Sequence, residues 1–248
     1  LAGWVSIPIT NFWGFSVVVV QLLLFLLPAM ALALAQPEAK PSKTPALGGG
    51  QIFAVLVCGS AALWLIYTTA RYWWADVKYA SGLNAVKSFQ ATSQPQYLLS
   101  AYQLYTSAYA LNPAEPAISS ELSVAAGYLA NSLRQSDATS AGQLAQIAVA
   151  ASDKAIHTSP HHPNYYKSRA RTMILLSDLD PRYLALAAEA LAQAAVISPT
   201  DPRIPFNLGV IYNYMEATPA AIEQFKKSIE LKPDFADPKL QLEQLKSL

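Results

Sequence analysis

Residues 202–235 read PRIPFNLGVIYNYMEATPAAIEQFKKSIELKPDF. Two runs with helical periodicity flank a break at Glu216 to Pro219, and Pro233 closes the second run. Ala221 and Ser228 stand seven residues apart, which places them on one helical face about two turns apart. Small side chains there let a neighbouring helix approach closely, and the proline five residues later stops the helix. The same arrangement occurs three more times upstream, as Ala101/Ala108/Pro113, Ala148/Ala155/Pro160 and Ala187/Ala194/Pro199. Three of the four sets carry a second proline three residues on, at Pro116, Pro163 and Pro202. An internal repeat of this kind decides architecture ahead of any local propensity. The C-terminal two-thirds of the chain is expected to be a stack of helical hairpins.

The 34-residue unit resembles a tetratricopeptide repeat (TPR). The matching positions are Asn207-Leu208-Gly209, Tyr212, Ala221-Ile222, Phe225, Ser228, Ile229, Leu231 and Pro233. Glu216 stands where the family usually has a glycine in the turn between helices, and Thr218-Pro219 starts the second helix. The earlier units are longer, with proline-to-proline spacings of 47, 39 and 34 residues. The extra length is assigned to turns at Gln135–Gly142 and Ser177–Pro181. The first helix of the first hairpin is expected at about Asp76 to Phe89, continuing from the membrane and holding the stack close to it. After Pro238, residues Lys239 to Leu248 are read as a short capping helix, as solenoid ends require.

The first third of the chain differs in composition. Overall the 248 residues are 53% hydrophobic and 13% charged, against roughly a quarter charged in an average soluble domain. Within residues 1–74 only Glu38, Lys40, Lys43 and Arg71 carry charge. Phe15 to Ala35 is long enough to cross a bilayer core of ~30 Å as a helix. Residues 36–51, with Pro37, Pro41, Pro45 and Gly48-Gly49-Gly50, are read as a linker. Ile52 to Ala70 is expected to be a second span. Trp64, Tyr67, Arg71, Tyr72, Trp73 and Trp74 cluster at its end, where aromatic rings and a snorkelling arginine anchor a helix at the interface. The expected fold is therefore all-α. It comprises a membrane region (1–74) with two transmembrane helices, an α-solenoid of about four TPR-like hairpins (75–238) and a cap (239–248). Leu1 in first place and the lack of a basic leader suggest a piece of a longer protein.

A stack of such hairpins presents a groove lined by its first helices. By register Lys167, Arg171, Arg203, Asn207 and Asn213 face it, and these side chains suit a peptide backbone or carboxylate of a protein or peptide partner. A solvated helix face is the other reading of the same residues, and scattered surface charges favour it. The net charge of +1 offers no footprint for nucleic acid. No catalytic set is present. His157, His161 and His162 lack accompanying ligands for a metal, the single Cys58 cannot form an internal disulfide, and no phosphate-binding or nucleophile motif occurs. No cofactor is expected, and Asp76, Asp153 and Asp180 are read as capping or surface residues.

The segment Ile9-Thr10-Asn11-Phe12-Trp13-Gly14-Phe15-Ser16-Val17-Val18, followed by Leu27-Pro28-Ala29, resembles the last membrane helices of the O-antigen ligase/polymerase (Wzy-C) superfamily in bacterial members with a TPR tail. Trp74-Ala75-Asp76, Ser159 to Lys167 and Pro199 to Arg203 are similar to that tail. The resemblance implies a multi-pass protein of the bacterial cytoplasmic membrane, acting on lipid-linked glycans, with its repeats on the external side. The family's catalytic groups lie on an upstream loop, so it implies no catalytic residue in this chain. The alternative is a non-enzymatic, membrane-anchored scaffold for envelope assembly. Positive charges near the spans are almost balanced, with Lys40 and Lys43 against Arg71, Lys78 and Lys87, so charge asymmetry selects no orientation.

Overall fold

The computed structural model describes residues 26–32, 34 and 48–246, and they divide into two units, 1–59 and 60–248. In the first unit, residues 26–32 and 34 are helical. Most of the expected first span, and the linker from 36 to 47, lie outside the described residues. Among the described residues, one helix is long and apolar enough to cross a membrane: α1, Gly49–Thr92. It begins inside the segment read as linker, because the Gln51 side chain accepts from the Gly48 amide at 3.1 Å while the Gly48 carbonyl accepts from the amides of Gln51 and Ile52. That closes the first turn despite the glycines.

The second unit is all helical among its described residues. The later part of α1 pairs with α2 (Pro95–Leu111). The next pairs are α3 (Pro116–Leu133) with α4 (Ala138–Thr158), α5 (Pro163–Leu176) with α6 (Arg182–Ile197), and α7 (Arg203–Tyr214) with α8 (Thr218–Leu231). Helix α9 (Ala236–Lys246) packs Leu242 onto the last pair beside Ala221 and Phe225. Four helices carry proline at their first or second position, where its missing N–H costs nothing.

All eight small residues of the periodic sets are buried to 1% exposure or less. They sit where successive hairpins meet. Ala101 and Tyr105 pack with Leu122 and Ala125, Ala148 with Ala126 and Leu176, and Ala187 and Ala194 with Ile204 and Leu208. Across each of two pairs, a glycine on the first helix faces an aromatic side chain on the second. Gly82 receives the ring of Tyr105, and Gly209 receives that of Phe225.

The assignment of Gln135–Gly142 to a turn is corrected. The turn is confined to residues 134–137, and Ala138 to Gly142 open α4. Asp137 caps this helix, its carboxylate accepting from the Ser140 amide at 3.0 Å. The extra residues of this repeat therefore lengthen helices: α3 has 18 residues and α4 has 21. The break at 177–181 is a turn, and it ends in an Asp-Pro-Arg start to α6. Asp180 accepts from the Arg182 amide at 2.9 Å. Asp201-Pro202-Arg203 repeats the device at α7, at 3.0 Å. Glu216, in place of the family's glycine, adopts the left-handed conformation at φ 58°.

Candidate partner-binding face

The first helices of the first three pairs carry a set of polar and aromatic side chains that interact across helix boundaries. Two layers can be distinguished on α3, separated by seven residues or about 10 Å.

In the layer nearer the end of α3, Tyr128 receives groups from both neighbours. The Arg171 guanidinium of α5 donates to its hydroxyl at 2.7 Å and lies over its ring at 5.3 Å. From α1, the Phe89 ring meets it edge-on at 6.1 Å. Arg171 is exposed and retains donors for an incoming group.

In the other layer, Glu121 occupies the middle of α3, half-buried and with no hydrogen bond or ion pair among the described residues. Burial pushes its carboxyl pKa up, and Arg171 only partly opposes this. Tyr79 of α1 is half-buried, and burial followed by the charge of Glu121 pushes its hydroxyl up, with Tyr165 and Glu115 adding to the effect. Tyr165 of α5 is raised by burial and by Glu115. Tyr105 reaches this layer from α2 across Gly82. Its ring centroid lies 5.9 Å from that of Tyr79, and the residue is fully buried. Its hydroxyl has no hydrogen-bond partner, and burial together with Glu121 raises its pKa. An unpartnered buried hydroxyl is costly, and it marks a place where a donor or acceptor is missing.

Of the residues selected by register, Arg171 joins this face. Lys167 and Arg203 converge elsewhere, on Asp201: Lys167 Nζ donates at 3.2 Å and Arg203 Nε at 3.1 Å. Burial alone would raise the Asp201 pKa, but the hydrogen bonds from Arg203 and Lys167 outweigh it and hold the carboxyl below the usual range. Asp201 and Lys167 are only 12% and 23% exposed in their side chains, so this cluster joins the third pair to the start of α7. Asn207 is half-buried and Asn213 exposed on α7, and neither side chain has a hydrogen bond among the described residues.

Sequence reasoning missed Glu121, Tyr79, Tyr105, Tyr128 and Tyr165. Their grouping depends on how three helices align, although Glu121 is detectable as the one charge inside α3.

The aromatic anchors are arranged as follows. Trp64 and Tyr67 are 63% exposed, and Trp73 and Trp74 meet at 5.6 Å. Arg71 lies over the Tyr72 ring at 5.2 Å, and Lys78 over Trp74 at 5.9 Å. No group of His, Cys, Asp and Glu suited to a metal ion occurs among the described residues.

Neither a protein-family model nor a curated protein sequence matches the chain. Solved structures do resemble it. The pilF protein of Pseudomonas aeruginosa aligns at 17% identity over 71% of this chain and 69% of its own, with a TM-score of 0.51. TTC0263, a thermophilic TPR protein of Thermus thermophilus, aligns at 18% identity over 74% of this chain and 95% of its own, also at 0.51. At this identity the likeness is one of fold, and the fold is a TPR-like helical repeat.

Proposed function

We propose that the chain is a membrane-anchored repeat module that holds a protein or peptide partner on the face formed by α1, α3 and α5. The observation that carries this reading is the change of character along α1. Leu63, Trp64, Leu65, Ile66 and Tyr67 are consecutive and each more than half exposed. A helix apolar around its whole circumference and left exposed among the described residues suits a lipid environment. Further along the same helix, Ala75 is buried beside Ala108 of α2 and Ile118 of α3, and Gly82 against the Tyr105 ring of α2. Partner binding is supported by Glu121, half-buried and without a hydrogen bond among the described residues, because a desolvated polar group without a partner favours an added ligand.

In cells, the chain should stay with membranes after an alkaline wash. A photo-crosslinking residue at Tyr128 should give a discrete adduct, and one at exposed Glu230 of α8 should not. Release from membranes, or identical adducts from both positions, would sink the reading. Arg171→Glu should weaken capture without unfolding the stack.

The resemblance of residues 9–18 and 27–29 to the O-antigen ligase superfamily supports a finer form of this proposal. In it, the module belongs to a glycan transferase of the bacterial cytoplasmic membrane, and its repeats position an acceptor or partner on the external side. Transfer of a lipid-linked glycan by membranes carrying the protein, lost on deletion of residues 75–248, would support it. Absence of any such transfer would favour the non-enzymatic scaffold, and transfer unaffected by the deletion would remove the repeats from acceptor positioning.

A further inference from the structure

The end of the exposed part of α1 carries a chemistry of its own. We infer that Arg71 and Lys78, held on the rings of Tyr72 and Trp74, form a binding site for the phosphate of an anionic lipid headgroup. This rests on the reading of α1 as membrane-embedded and specifies which lipids its end takes.

The first observation is position. No charged residue occurs between Lys43 and Arg71, and the most apolar stretch of α1 has none of its residues buried. Arg71 is thus the first cation on the helix as it leaves its apolar run, where a headgroup layer begins. Lys78 stands seven residues on, so the two share one helix face, about two turns apart. Its ammonium reaches back over the exposed Trp74 ring, at 5.9 Å, which brings it towards the level of Arg71. The Arg71 guanidinium lies over the exposed Tyr72 ring at 5.2 Å.

The second is unspent donor capacity. Neither Arg71 nor Lys78 has a hydrogen bond or an ion pair among the described residues. Of the three guanidinium nitrogens of Arg71 only Nε is buried, so the two terminal ones remain open to a ligand. A guanidinium stacked on a ring engages its face and leaves its in-plane N–H donors for a phosphate.

The third is the lack of a carboxylate that answers these cations. Asp76 is exposed and lies two residues before Lys78, on the other side of the helix. Ala75 packs here against Ala108 of α2 and Ile118 of α3. Helix α2 has no charged residue. At the start of α3 the Glu115 carboxylate accepts from the Ala117 amide at 3.3 Å, and Glu121, the one charge inside α3, pairs with neither cation.

Quenching of tryptophan fluorescence by brominated lipid tests the site, because Trp73 and Trp74 adjoin it. The full chain is reconstituted into phosphatidylcholine vesicles containing a minor fraction of brominated lipid, either phosphatidylglycerol or phosphatidylcholine. Wild type should prefer the brominated phosphatidylglycerol by about fivefold in relative affinity. The double variant Arg71→Gln/Lys78→Gln should be quenched equally by the two lipids while thermal unfolding remains cooperative, and Arg71→Lys should keep most of the preference. Lys87→Gln removes an exposed cation farther along α1 and should leave the preference intact. Equal quenching of wild type by both lipids, or the same loss of preference in Lys87→Gln, would overturn the headgroup site and leave the membrane reading standing. Loss of the preference in millimolar inorganic phosphate at constant ionic strength would overturn the lipid as the source of the phosphate. No quenching by either lipid would overturn the membrane reading and the site together.

Discussion

A Cβ atom on Gly209 would lie 2.6 Å from Cε1 of Phe225, whose ring is fully buried between α7 and α8. The ring also meets Phe206 at 6.0 Å, which limits its retreat on that side. Gly209→Ala should therefore destabilise the stack by about 1–2 kcal/mol, the overpacking cost less the better helix propensity of alanine. Thermal unfolding of the variant checks this. A melting temperature equal to or above wild type would show that the ring yields.

Gly82 and Tyr105 make the same contact at 2.5 Å in the first pair. Their 23-residue separation, against 16 for Gly209 and Phe225, hides the equivalence in the sequence. The C-terminal ends of the second helices were legible because their small residues and prolines keep a constant spacing. The start of α4, the second helix of its pair, was not. The Ser, Thr and Gly of residues 136–142 have the composition of a turn, yet Asp137 is placed to cap, and a cap lets Ala-rich sequence continue as helix. The site was legible only at Arg171. Register shows which side chains share a face, while the engagement of Lys167 and Arg203 with Asp201 depends on where the next turn lies.

Asp201 is the acceptor that joins the third pair to the fourth. Asp201→Ala removes the Arg203 amide acceptor and leaves half-buried Lys167 without its counter-ion, at a cost of about 1–3 kcal/mol. The carboxyl pKa is held below its ordinary value, so the stability it contributes is present above about pH 3.8 and is lost as pH falls through the folded-state value. The difference in melting temperature between wild type and Asp201→Ala should accordingly shrink in acid. A constant difference across that range would mean that packing, and not charge, sets the cost.

Glu121 has the opposite sign. Its folded-state pKa is raised by burial, so protonated Glu121 is favoured in the fold, and the associated stability is lost as pH rises from the ordinary value near 4.5 through the folded-state value. Glu121→Gln should therefore match wild type in acid and exceed it near neutral pH, by roughly 2–4 °C for each 1 kcal/mol in a domain of this size. Melting curves of both proteins from acid to neutral pH provide the measurement. A variant less stable than wild type at neutral pH would show that ionised Glu121 is satisfied in the fold.

Glu216 holds a conformation that favours glycine, with φ at 58° and its amide bonded to the Asn213 carbonyl at 3.0 Å. The left-handed region costs an L-residue about 1–2 kcal/mol. Relief of that strain by Glu216→Gly is opposed by the larger backbone entropy glycine loses on folding, about 0.5–1 kcal/mol. The expected outcome is a variant that is neutral or up to about 1 kcal/mol more stable. Glu216→Val puts a β-branched side chain at the same φ and should be destabilised relative to wild type. Denaturant unfolding of the pair decides it: a glycine variant clearly less stable than wild type would mean that the Glu216 side chain contributes more than the turn geometry takes away. The side chain is exposed, so the backbone conformation should govern the result.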